Sequence, residues 1–360
     1  MNSDLRLSDM GERQIVLNLI ANRFPEVKNN FDDAALVPIK EGFDNLVIST
    51  DPCPTPVVCI LKGRDLYKYG IMTVLINVSD LASMGATPAG ILVSTVMPED
   101  MLANDYVRFL DGVEDACRKY NCPLIGGNIK DGREFTANGT AFGFANNESA
   151  MKRSGAKPGD SVCIIGDMGL FWASIAMLKN GFKLDEEIVE VLKKALDSPE
   201  AKLQEGIELA NCGQVNSCMD SSDGIVACMR EIAKASNVDI IIDDKLITPH
   251  PAVRKLSELT GIDHRNFMFS WGDWNLVCTI PRGSISDVQN ALEKIGTKIN
   301  VIGNVVAGNG KVSYLYGGQQ HTMNNNFSSE RFCGTSMFTH NIEPYYDLLL
   351  SSFVFTEDDA

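Results

Sequence analysis

The sequence has no Cys-x-x-Cys pair, and its four histidines (His250, His264, His321 and His340) are scattered. Zinc ligation of the finger or ribbon type needs clustered thiolates and imidazoles, so that organisation is excluded. Ten cysteines in 360 residues are too thin for a disulfide scaffold. Cys163 and Cys278 sit inside the apolar runs Ser161–Gly166 and Asn275–Ile280, where a thiol behaves as a small hydrophobe. Positive charge is also scarce: 32 Lys and Arg against 47 Asp and Glu leave a net −15. Such a surface repels phosphate backbones and anionic lipids, which argues against a nucleic-acid or membrane-surface partner. A small anionic ligand would need a cation to mediate its binding, and magnesium is the common mediator. Neither Gly-x-x-x-x-Gly-Lys-Ser/Thr nor Gly-x-Gly-x-x-Gly occurs, so no P-loop or dinucleotide fold is signalled. No run approaches a membrane span. The first ten residues hold Asp4 and Asp9 with no apolar core, unlike a signal peptide. A reduced cytoplasmic enzyme is the expectation.

What is present is ordinary for a globular chain, 44% apolar and 22% charged, at a length that favours two domains. Asn45–Thr50, Ala89–Met97, Leu124–Gly127 and Glu134–Ala145 read as strands. Between them, Ile71, Val74, Leu75, Val78, Leu81 and Ala82 recur at helical spacing, and a second helix spans about Leu102–Tyr120. Its start signal is Pro98-Glu-Asp100. The polar segment Asn146–Asp160 marks a composition shift. Beyond it come a strand at Ser161–Gly166, helices near Glu186–Leu196 and Gly224–Ala235, and strands at Asp239–Asp243, Asn275–Ile280 and Asn300–Val306. The expected division is 1–148, 149–317 and a terminal extension 318–360 that loses periodicity and reads as a decorated or frayed tail.

Aspartates recur at the ends of these elements. Asp32 and Asp33 precede an apolar run, Thr50-Asp51 end a strand, and Asp80 shares a helix face with Asn77 and Thr73. Asp220 and Asp223 bracket Ser221-Ser222 directly before a helix, and Asp273 follows Gly272 before a strand. Taken one at a time, each reads at least as well as a helix cap or turn residue. Taken together, adjacent carboxylates repel unless divalent cations join them, and magnesium binds carboxylates and phosphate oxygens at once. Leu124-Ile-Gly-Gly-Asn128 offers a turn that lets backbone approach a ligand, or simply a tight turn. Arg153 could clamp a phosphate or lie in a plain linker. Trp271 and Trp274 could stack on a ring, although core packing is the commoner use of an indole.

In order along the chain, Asp32-Asp33-Ala-Ala-Leu36, Ile48-Ser-Thr-Asp51, Asn77-Val-Ser-Asp-Leu-Ala-Ser-Met-Gly-Ala-Thr-Pro88 and Leu124-Ile-Gly-Gly127 form a series. It continues through Arg153-Ser-Gly-Ala-Lys-Pro-Gly-Asp160, Asp220-Ser-Ser-Asp-Gly224 and Ile302-Gly303. The series resembles the thiamine-monophosphate kinase branch of the superfamily that also holds aminoimidazole-ribonucleotide synthetase. That resemblance implies a PurM-like architecture of α/β plus α+β class. Its amino-terminal mixed sheet, with helices on one face, would form a homodimer interface, and an α+β domain would follow. It implies ATP and magnesium between the domains, with the γ-phosphoryl passing to a small, phosphorylated acceptor. Asp32, Asp33, Asp51, Asp80, Asp220 and Asp223 would hold metal. Thr50, Asp51, Gly126, Gly127, Asn128, Arg153 and Ser222 would bind nucleotide, and Arg153 and Asp223 would act at the transferred group. Phosphoryl transfer needs in-line positioning and charge neutralisation rather than a protein nucleophile.

The departures carry equal weight. Phe31 replaces a glycine before the Asp pair, and Asn128 stands where the family has a carboxylate. A Gly-Glu-Asp-Tyr-Glu-Leu segment becomes Gly272-Asp-Trp-Asn-Leu276, without its two glutamates. The acceptor-side run with histidine and phenylalanine becomes Pro52-Cys-Pro-Thr-Pro-Val57. A kinase with an altered acceptor is the first expectation. A synthetase-like enzyme that activates a carbonyl or amide oxygen, or a nucleotide-binding homologue whose catalysis has decayed, are the alternatives.

Overall fold

The computed structural model describes residues 44–98, 101–327 and 341–356, together with the backbone of 35–38. Two sheets organise it, as the two-domain expectation requires. The first half runs β1 (Ala35–Pro38), β2 (Asn45–Pro52), α1 (Val57–Lys62), α2 (Leu66–Ser83), β3 (Thr87–Met97), α3 (Ala103–Lys119), β4 (Leu124–Asp131) and β5 (Thr136–Ala145). Its strands lie in the order β1-β2-β5-β3-β4, antiparallel except for the parallel pair β3/β4. The second half runs β6 (Asp160–Ile165), α4 (Leu170–Asn180), α5 (Glu186–Asp197), α6 (Leu203–Cys212), β7 (Ser217–Asp220), α7 (Ile225–Ser236) and β8 (Val238–Asp243). It continues with α8 (Pro251–Thr260), α9 (His264–Met268), β9 (Leu276–Pro281), α10 (Ile285–Glu293), β10 (Ile299–Ala307), β11 (Val312–Tyr316), β12 (Gln319–Met323), α11 (Glu343–Ser351) and β13 (Phe355–Thr356). These strands form one sheet, β13-β12-β11-β8-β10-β6-β9-β7.

Helix α2 joins the two halves. Asp65 starts it by accepting a hydrogen bond from the Tyr67 amide at 3.1 Å. One side carries Val74, Leu75, Val78 and Leu81 into the first core, as the helical stripe predicts. The opposite side is buried too, because α6 crosses it. A Cβ on Gly206 would lie 2.1 Å from the Ala82 carbonyl, so only glycine admits that crossing. Thr73 and Asn77 are buried against the first sheet, where a Cβ on Gly139 would meet both, and Ser79 and Asp80 are buried where the two halves meet.

The second helix spans Ala103–Lys119, as expected, and Leu102 makes no side-chain cap; Glu99 and Asp100 of its start signal lie outside the described residues. Two expectations need correction. The strand expected to end at Gly127 continues to Asp131, because it pairs in parallel with β3 as far as Met97. The described part of the supposed frayed tail, 319–327 and 341–356, packs into the core of the second half. Strand β12 extends the second sheet beside β11 and accepts β13 on its other edge. Met323, Phe327, Tyr345, Leu349 and Val354 are all buried. Their apolar area, removed from water, is what fixes a polar-looking segment in place.

Candidate active site

The turn after β2 and the polar side of α2 meet first. The Asp51 amide donates to Asn77 Oδ1 at 3.0 Å, and Asn77 Nδ2 donates to the Thr73 carbonyl at 2.9 Å. Ser49, one pleat earlier, donates its hydroxyl to Asp80 Oδ2. Ser79, adjacent to Asp80 on the helix, points to the other half of the protein and donates to Asp220 Oδ2 at 2.6 Å. Asp220 ends β7, and its second oxygen accepts from Ser222 Oγ at 3.1 Å. Two neighbouring residues on one helical turn thus tie both sheets to the same place.

Asp51, Asp80, Asp220 and Ser222 border one cavity of about 930 Å³, counting its open mouth. The other walls are apolar: Val57, Met72, Phe171, Trp271 and Trp274, behind Pro52, Pro54 and Pro56. Lys68 is the cation on this lining. Its Nζ donates to the Asp197 carbonyl at 2.5 Å, and Lys62 pairs with the Asp197 carboxylate at 2.7 Å, closing α5 onto the first half. Cys53 lies behind the proline wall, where burial pushes its thiol up to about 12. A thiol held protonated is no nucleophile. The cavity lining therefore combines carboxylates with aromatic rings, and burial leaves the Cys53 thiol unactivated.

Other expected site residues sit elsewhere. Asp32 and Asp33 lie outside the described residues. Thr50 faces along its sheet, donating to the Gly139 carbonyl at 2.9 Å and lying 2.8 Å from Thr140 Oγ1. Gly126, Gly127 and Asn128 are exposed on β4, and Asn128 borders a separate depression with Met97, Lys130 and Asp131. Arg153 precedes β6, with its Nε buried and its carbonyl accepting from Ser236 Oγ at 3.4 Å; it is not on the cavity lining. Neither is Asp223, which is half-buried in the turn before α7. Phe171, Lys68 and the linking hydroxyls of Ser49 and Ser79 went unnoticed in the sequence. The two serines belong to the Ile48–Asp51 and Asn77–Pro88 motifs, which was their one signal.

Among the described residues, no three acidic, histidine or cysteine side chains converge as a ready-made metal cage. The donor set still fits magnesium. It consists of carboxylate oxygens with hydroxyls, and magnesium keeps several waters and completes its shell with phosphate oxygens.

Residues 31–145 match the family model of the AIR synthase related protein, N-terminal domain, and residues 157–315 match its C-terminal domain. The thiamine-monophosphate kinase of Pyrococcus abyssi is 30% identical over 281 residues, 78% of this chain and 83% of that protein. A structure described as AaThiL complexed with AMPPCP and TMP superposes with a TM-score of 0.76 at 26% identity, covering 91% of this chain and 99% of that one. The thiamine monophosphate kinase of Aquifex aeolicus gives 0.69 at 25% identity, over 85% and 97%. Paired sheets with a carboxylate-bordered cavity at their seam, and both domain models matched in order, define a protein of the AIR synthase-related class. Within that class, the chain belongs to the thiamine-monophosphate kinase family.

Proposed function

We propose that the chain is an ATP- and magnesium-dependent kinase that passes the γ-phosphoryl group to a small phosphorylated acceptor, with thiamine monophosphate the first candidate. The observation that carries this reading is one cavity whose lining combines the carboxylates of Asp51, Asp80 and Asp220 with the rings of Phe171, Trp271 and Trp274. Asp51, Asp80 and Asp220 would hold magnesium, with Asp32, Asp33 and Asp223 the further candidates from the sequence motifs. When bound, magnesium supplies neutralisation of the triphosphate charge. Ser222, on the same lining, would position the nucleotide. Thr50, Gly126, Gly127, Asn128 and Arg153 lie off that lining, so nucleotide binding in this reading leans on the cavity's aspartates. Trp271, Trp274 and Phe171 would receive a flat ring and keep water from the transferred group.

The same reading includes a homodimer formed through β4. Ile125 and Ile129 are 55% and 65% exposed on that strand, and an apolar edge of this kind invites a second copy. No disulfide joins the nine described cysteines to one another, which suits a reducing compartment such as the cytoplasm.

Phosphorus NMR of the full chain with magnesium-ATP and thiamine monophosphate tests the proposal. ADP and thiamine diphosphate are expected. Orthophosphate without a phosphorylated acceptor would favour the synthetase reading, and the absence of any ATP consumption would remove the kinase reading.

A further inference from the structure

We propose that Asp273 is a positioning residue for the acceptor: it fastens the start of α4 and so holds the Phe171 ring as a wall of the cavity. The inference rests on the cavity being the acceptor site, as proposed above.

Helix α4 begins without a cap of its own. Its N-cap residue is Gly169, at φ 88°, which has no side chain to satisfy the free amides of the first turn. Asp273, more than a hundred residues away in sequence, supplies both acceptors. The Gly169 amide donates to its Oδ2 at 2.5 Å and the Phe171 amide donates to its Oδ1 at 2.9 Å. A carboxylate at this point also suits the positive end of the helix dipole. The preceding residue grips the same phenylalanine from outside. A Cβ on Gly272 would lie 2.3 Å from the Phe171 ring, so the ring is laid over bare backbone at φ 110°. On its other side the ring meets Trp271 at 5.6 Å between centroids.

The loop that does this is itself anchored beside Asp220. Asn275 and Ser221 exchange two hydrogen bonds, Asn275 N to Ser221 Oγ and Ser221 N to Asn275 O, both at 2.8 Å. Ser221 directly follows Asp220. Between the two anchors, Trp274 is held at φ 51°, a left-handed conformation that a bulky side chain adopts only when its surroundings impose it. One five-residue segment therefore ties the turn carrying Asp220 to the aromatic wall. A plain remote cap would act on stability alone; a positioning residue acts on the acceptor and spares the nucleotide.

The test uses the full chain as wild type, Asp273→Asn, Phe171→Leu and the double variant. With thiamine monophosphate and magnesium-ATP, Asp273→Asn is expected to raise KM for the acceptor about tenfold and to leave KM for ATP within about twofold. Phe171→Leu should act in the same direction, and the double variant should be no worse than the more impaired single one. Equal shifts in both KM values, or additive effects, overturn the inference. Should the wild type turn over no thiamine monophosphate, the functional reading fails and a second measurement decides this one. All three tryptophans, Trp172, Trp271 and Trp274, stand in or beside this wall, so intrinsic emission reports on it directly. Asp273→Asn should redden that emission and increase its quenching by acrylamide in the ligand-free protein. Unchanged emission and quenching would overturn the positioning role.

Discussion

Replacing Tyr345 by alanine should cost the protein about 4 kcal/mol, in the range for deleting a buried aromatic side chain. The residue lies in the segment beyond the matched family domains and is fully buried. Its ring stands 4.5 Å from Trp172, 5.6 Å from Trp271 and 6.4 Å from Phe327, and its hydroxyl donates to Ser270 Oγ at 3.0 Å. Deletion therefore removes ring packing against three aromatic neighbours and one hydrogen bond, leaving a cavity among large, fully or nearly buried side chains. Tyr345→Phe separates the parts, since it keeps the ring and loses only the hydroxyl, for about 1 kcal/mol. Equilibrium urea unfolding of both variants gives the numbers, with an unchanged m-value showing that the comparison is of stability alone. A loss below about 1 kcal/mol for Tyr345→Ala would mean that α11 is an appendage and that the reasoning about the terminal segment is wrong.

Three further outcomes follow from the same structure. Burial raises the Asp273 carboxyl to about 7, against the 3.8 of a free one, so its contribution to stability is present below about pH 4 and lost as pH rises through 7. Asparagine does not titrate, so the stability of Asp273→Asn should fall less steeply than that of wild type between pH 5 and 8, whatever its offset at pH 5. Parallel stability curves would contradict that. Ser79→Ala removes the hydroxyl that donates to Asp220 across the seam and should destabilise by about 2 kcal/mol on urea unfolding; a neutral result would show that the two halves are joined elsewhere. Ile129→Asp on the exposed β4 strand should convert a dimer to monomers in sedimentation velocity, and a sedimentation coefficient unaffected by the substitution would place any interface on another surface.

Much of the first sheet could be read from the residues, because its strands are short β-branched runs and α2 shows a clean helical stripe. The same stripe put Asp80 on a face with Asn77 and Thr73, and all three are buried. The tail was illegible for a physical reason. Its apolar residues are spread through polar sequence, and α11 shows only Tyr345, Tyr346 and Leu349 in register. Nothing local announces that β12 has an open sheet edge to join. The aromatic wall was half visible. Trp271 and Trp274 stood out, yet an indole's chemistry does not say whether it packs or lines. Phe171 had no signal, because its placement depends on a carboxylate more than a hundred residues away. Tertiary contacts of that kind leave no periodicity to read.

The central claim is that aspartates from both sheets meet around a cation-bridged triphosphate. Calorimetric titration of a non-hydrolysable ATP analogue, with magnesium and then with EDTA, tests it most directly on wild type, Asp80→Asn and Asp220→Asn. Binding should require magnesium and should weaken about tenfold or more in each variant, a loss of some 1.4 kcal/mol. Undiminished affinity in EDTA, or variants that bind as wild type does, would contradict it.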